Sequence, residues 1–99
     1  MPTANIAKQG NDFLISGCLD FQTVVDLWSQ SLPLMENESA LHFDLAQVTS
    51  SNSAGMALML EWVRYAYENH RAIDFKNIPA QLHSIISVSG IEKVLNRPF

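Results

Sequence analysis

The chain has a single cysteine, Cys18, so no internal disulfide can form. No Cys/His pair stands at zinc-ligand spacing either. Glycine is scarce, with four in 99 residues. Neither a GxGxxG nor a GxxxxGKS/T loop occurs, which excludes the common nucleotide-cradling turns. No GxSxG elbow presents a nucleophilic serine. Positive charge is sparse too. Lys8, Arg64, Arg71, Lys76, Lys93 and Arg97 are scattered among ten acidic residues, for a formal charge of −4. With no basic stripe to neutralise phosphates, neither nucleic-acid binding nor a polybasic membrane patch is expected. Long hydrophobic runs are also missing. The longest unbroken apolar stretch is Met56–Leu60, far short of the ~20 residues that span a bilayer. The first ten residues lack the apolar core of a signal peptide. These absences predict a cytoplasmic chain with no direct membrane insertion.

What is present points to one globular domain over residues 1–99. A hydrophobic content of 47% is too high for intrinsic disorder. A chain this long buries roughly 60–70% of its unfolded surface, enough to fold without metals or disulfides. Asn5–Gln9 and Phe13–Ser16 read as short strands around a Gly10-Asn11-Asp12 turn, with Gly17 and Cys18 ending the hairpin. Asp20 can cap the next helix. Phe21, Val24, Val25, Trp28 and Leu32 then recur at helical spacing as one apolar face, and Pro33 is expected to end it. Ala40–Val48 alternates: Leu41, Phe43 and Leu45 point one way, His42 and Asp44 the other. Such alternation predicts a sheet covered on one face only. A long helix continues to about His70, a strand covers Ala72–Ile78, and Pro79 opens a helix that Gly90 stops. Ile91–Leu95 is a last short element and Asn96–Phe99 a tail. The predicted fold is α/β, in the order β-β-α-β-α-β-α: a mixed sheet of about four strands with helices mainly on one face.

Residues with catalytic chemistry form no constellation. His42, His70 and His83 have no His or Cys at i+2 to i+4 and read as surface or boundary histidines. Asp44 lies mid-strand on the wet face. Glu61, Arg64 and Glu68 share a solvated helix arc. Cys18 reads as a half-buried structural thiol. We therefore assign no catalytic residue, no metal site and no cofactor, and expect a protein-binding module.

One local feature stands out. Thr49-Ser50-Ser51-Asn52-Ser53 is the longest run of small polar residues, between a strand and an unusually apolar helix. Asn52 or Ser53 is the natural N-cap. The first N–H groups of that helix lack internal partners. Gly55, with no side chain, lets another surface approach the first turn. Along the helix, Met56, Met59, Leu60, Val63, Ala66 and Tyr67 form one apolar face. Leu58, Trp62 and Tyr65 form a second stripe, which either packs on a neighbouring helix or meets a partner.

The stretch Phe43-Asp44-Leu45-Ala46-Gln47-Val48-Thr49-Ser50-Ser51-Asn52-Ser53-Ala54-Gly55 resembles the STAS domain family, the small domains of anti-sigma-factor antagonists and sulfate transporters. Ile78-Pro79-Ala80-Gln81-Leu82 and Val88-Ser89-Gly90-Ile91 resemble the family's closing helix and final element, so the resemblance covers nearly the whole chain. It implies a binding surface at the strand–helix junction, with Thr49, Ser51, Asn52, Ser53, Gly55 and Met56 as contacts. Two branches of the family compete. In anti-sigma-factor antagonists a partner kinase phosphorylates the serine at the Ser53 position. MlaB-type domains instead bind the ATPase subunit of a phospholipid-transporting ABC complex that maintains outer-membrane lipid asymmetry, and are held at the inner membrane through that partner. The antagonist pattern has Asp where this chain has Asn52. The short length, the Ser-Ala-Gly ending and the Trp-bearing helix are more similar to the MlaB-type branch.

Overall fold

Strands and helices alternate in the order that the hydrophobic periodicity predicts. The computed structural model describes residues 3–95. The elements are β1 (Ala4–Gln9), β2 (Asp12–Leu19), α1 (Val24–Met35), β3 (Ala40–Ser51), α2 (Ser53–Glu68), β4 (Ala72–Lys76), α3 (Ala80–Ser89) and a 3-10 turn, Glu92–Val94. The expected tail Asn96–Phe99 lies outside the described residues.

The four strands form one sheet in the order β1-β2-β3-β4. β1 and β2 make an antiparallel hairpin in which Gln9 pairs with Asp12. β2/β3 and β3/β4 are parallel. Parallel neighbours need crossovers, and crossovers are almost always right-handed. Because the strands advance in one direction, both crossover helices fall on the same face. Phe13, Ile15, Leu41, Phe43, Leu45, Ile73 and Phe75 point into that layer and are buried. Phe43 sits at its centre, stacked on Phe13 at 5.2 Å, Phe75 at 5.4 Å and Trp62 at 4.2 Å between ring centroids. Stacked pairs of this kind add about 0.5–1.5 kcal/mol beyond simple burial.

The opposite face of the sheet is polar, as the β3 alternation predicts. Lys76 Nζ meets Asp12 Oδ2 at 2.8 Å, and His42 Nδ1 meets Asp74 Oδ2 at 2.9 Å. Asp44 accepts from the Asn77 side chain at 3.0 Å and the Ala46 N–H at 2.9 Å. The Asn77 bond first, then the Ala46 N–H and the nearby Lys76 charge, hold its carboxyl below the usual range against a smaller desolvation effect. The bond to Asp12 raises the Lys76 ammonium. Among the described residues no cluster of His, Cys, Asp and Glu could hold a metal ion.

Several local expectations are corrected. β2 does not end at Gly17; it runs on to Leu19, paired with β3. α1 does not stop at Pro33 but passes it and ends at Met35. Proline removes one N–H and one i→i−4 bond, and two residues from a helix end on an exposed face that loss is small. The apolar face read for α1 is rotated. Its buried residues are Leu27, Ser31 and Met35, whereas Phe21 and Val25 are each 69% exposed. Ser31 is buried because Trp62, itself 0% exposed, donates its indole N–H to Ser31 Oγ at 2.9 Å. α2 ends at Glu68 and not at His70, which adopts φ 55° just beyond it. β4 stops at Lys76, and Pro79 is the N-cap of α3, one position before the helix.

Candidate functional site

The strand–helix junction is built differently from a polar turn. β3 continues through Thr49, Ser50 and Ser51, so only Asn52 separates strand from helix. The reason lies in the register. Leu14 pairs with Asp44, but Ser16 pairs with Gln47 and Cys18 with Ser50, so β3 carries one extra residue twice. Each extra residue shifts the inward–outward phase and sharpens the local twist. After the first shift Val48 points inward. After the second Thr49 is exposed while Ser51, 3% exposed, turns under the helix.

Four hydrogen bonds fix the corner. The Asn52 N–H donates to the Leu19 carbonyl at 3.1 Å, tying the corner to the end of β2. The Ser51 N–H donates to Gln81 Oε1 at 3.0 Å, tying it to α3. Ser51 Oγ donates to the Asn52 carbonyl at 3.0 Å. Asn52 Oδ1 accepts from the Ala54 N–H at 2.8 Å and is the N-cap of α2. Of the two candidates for this role, Asn52 fills it. Ser53 is the first helical residue, is exposed, and makes no side-chain hydrogen bond among the described residues.

Gly55 is buried, and the surface that approaches it belongs to this chain. A Cβ at that position would collide with Ser51 Oγ and stand 3.3 Å from the Leu19 side chain. The glycine therefore lets α2 pack on the ends of β2 and β3. Of the six residues expected at the contact, Thr49, Asn52 and Ser53 are exposed and Met56 is partly so, while Ser51 and Gly55 lie beneath them. The Met56 side chain reaches α3, where its Sδ lies 3.0 Å from Ser89 Oγ. Leu58 and Trp62 of the second helical stripe are core, and Tyr65 is half-buried edge-on against Trp28 at 6.5 Å.

Gln81 and Leu19, which brace the corner, were not legible as site residues, since a side chain 30 residues away carries no local signal. Nor was the groove between α1 and α2, lined by Val24, Val25, Trp28, Ala57, Leu58 and Glu61. The spacing of Ala57 and Glu61 at i and i+4 puts both on one side of α2, but nothing local says that α1 faces them there.

A one-sided mixed sheet under three helices, with an exposed strand–helix corner held by hydrogen bonds to β2 and α3, defines a small α/β domain. A family model described as "Mlab, STAS domain" matches residues 5–96, and the chain belongs to the STAS domain family. STAS domains are typically protein-interaction modules. The fold is similar to that in a solved structure of the anti-sigma factor antagonist SpoIIAA in its unphosphorylated form. That likeness has a TM-score of 0.72 at 14% identity, over 91% of this chain and 83% of the other. No curated protein matches the chain. Among the described residues no helix is long and apolar enough to cross a membrane.

Proposed function

We propose that this domain docks on the ATPase subunit of a bacterial ABC phospholipid transporter and is held at the inner membrane through that partner. The observation that carries the reading is the match of nearly the whole chain to a family model described as Mlab. The corner geometry supports it. Thr49, Asn52, Ser53 and Met56 form the contact, and Ser51 and Gly55 set their height from below. Because the edge is fixed by hydrogen bonds to β2 and α3, little ordering entropy opposes docking. The domain acts by adding binding free energy to one state of the ATPase. The test is purification of the tagged chain from its native cells. An ABC ATPase should co-purify, and Ser53→Asp should weaken its recovery at least tenfold. Absence of any such ATPase removes this reading.

A second reading is favoured by one observation: the Ser53 hydroxyl is exposed and unbonded among the described residues, at the first position of a helix. In this reading the chain is an anti-sigma-factor antagonist whose Ser53 is phosphorylated by a partner kinase. A phosphate there adds −1.5 to −2 of charge, which the helix N-terminus tolerates but a closely packed partner does not. The similar fold of SpoIIAA, an anti-sigma factor antagonist solved in an unphosphorylated form, is in keeping with it. The intact mass of the native protein decides this point: a phosphate on Ser53 promotes the second reading, and its absence under all growth conditions removes it.

A further inference from the structure

The helical layer carries an apolar groove that the corner alone does not account for. It lies between α1 and α2, with a volume of about 250 Å³, and its walls are Val24, Val25, Trp28, Ala57 and Leu58. Val25 is 69% exposed, and Phe21, in the turn that leads into α1, is equally so. Lone exposed apolar residues are ordinary, but contiguous ones lining a concavity mark a contact. The one charged lining residue is Glu61, at the lip. Its carboxylate makes no ion pair among the described residues, and no Lys, Arg or His lines the groove. The nearest cation along the helix, Arg64, faces Glu68 at 3.7 Å. Lys8 and Lys76 are paired with Glu38 and Asp12. Arg71 is bonded to the Met35, Glu36 and Glu38 carbonyls. The chain therefore has little positive charge of its own to offer this lip, and its formal charge of −4 disfavours a second copy there.

From this charge pattern we propose that the groove seats an amphipathic segment of the protein partner, with a large apolar side chain in the groove and a Lys or Arg beside Glu61. The proposal rests on the reading of the domain as a protein-docking module and adds a second contact, on the α1 side of α2. Occupying an apolar concavity while neutralising a rim carboxylate gives both affinity and orientation.

Site-specific photocrosslinking in the native cells, with the full chain, tests it. A benzophenone amino acid replaces Val25 in one strain and Thr49 in another. The Val25 position should crosslink to a partner segment in which Lys or Arg flanks apolar residues, and Glu61→Lys should cut that product at least fivefold. Circular dichroism checks that Glu61→Lys, an exposed change, leaves the fold intact. A crosslink at Thr49 but none at Val25 overturns the groove and leaves corner docking standing. Silence at both positions overturns docking itself. Three results at Val25 also overturn the proposal: a product with a second copy of this chain, a product with lipid, or an acidic partner segment. A yield indifferent to Glu61→Lys removes the charge argument and with it the choice of occupant.

Discussion

The two sides of the β3–α2 corner are made from the same kinds of small residue and do opposite work. On the inner side, Ser51, Ala54 and Gly55 are buried, with Gly55 close against Ser51 and Leu19. On the outer side, Thr49, Asn52 and Ser53 are exposed. Burial alone separates the two sets, and the separation comes from the two extra residues in β3. The inner residues hold a shape and the outer ones present it. Substitutions should therefore divide cleanly: inner changes cost folding stability, and outer changes cost partner binding.

The largest expected effect lies at the base of the inner side. Trp62→Ala removes the ring stacked on Phe43 and strands Ser31 without its donor. It should destabilise the fold by about 3–5 kcal/mol, read from urea unfolding. A loss under 1 kcal/mol would mean that α2 is not anchored as described. Next comes Gly55→Ala, which should cost about 1–3 kcal/mol by overpacking against Ser51 Oγ and Leu19. The cost should shrink in a Ser51→Ala background, and a double-mutant cycle with no coupling would break the close-packing account. Asn52→Ala straddles the two sides, losing the cap at about 1 kcal/mol and also weakening docking. Asn52→Asp keeps the acceptor oxygen and should leave stability within about 1 kcal/mol, so any change in partner affinity reports the added charge. Ser53→Ala sharpens the contrast most. With its side chain exposed, Ser53 should contribute within about ±0.5 kcal/mol to stability, while its loss lowers partner recovery. A marked fall in stability would place Ser53 with the inner set.

How far these sides were legible in the sequence follows the same division. The element order and the one-sided sheet were readable, because alternation in Leu41–Leu45 and helical spacing in α2 are local signals. The buried side of α1 was not. Phe21, Val24, Val25, Trp28 and Leu32 do form an apolar arc, but periodicity does not say which arc meets the core, and a buried polar Ser31 needs Trp62 to explain it. At the corner, the polar run was readable as special but not as strand. Its pairing with Cys18 and Leu19, and the two shifts that turn Ser51 in and leave Thr49 out, depend on register between distant segments. The choice of Asn52 over Ser53 as the cap depends on the backbone: Asn52 is extended and Ser53 already helical.

The smallest expected effect is a test of whether two carboxylates away from the outer side, Asp20 and Asp44, carry acid sensitivity of the fold. Asp20, just after the last inner residue of β2, accepts from the N–H groups of Gln22 and Thr23 at 2.8 and 2.9 Å and so holds the chain entering α1. Desolvation pushes its carboxyl up, but the Thr23 and Gln22 N–H groups, with the Cys18 and Thr23 side chains, together outweigh it and hold it below its ordinary value. Asp44 is held low as well. A carboxylate depressed in the folded state stabilises fully above its unfolded value of about 3.9. As pH falls through that window the unfolded chain takes up protons first, so the contribution is lost towards the folded value. The urea midpoint should therefore hold above about pH 5 and drop as the pH falls below it. The drop should be shallower in Asp20→Asn/Asp44→Asn, where the amide oxygens still accept but no longer titrate. An unchanged slope in that double variant would assign the acid sensitivity to other carboxylates. Because neither side chain reaches Thr49, Asn52 or Ser53, the same variant should bind its partner at neutral pH as the parent does, and a loss of binding would show that the two sides of the corner are coupled through the end of β2.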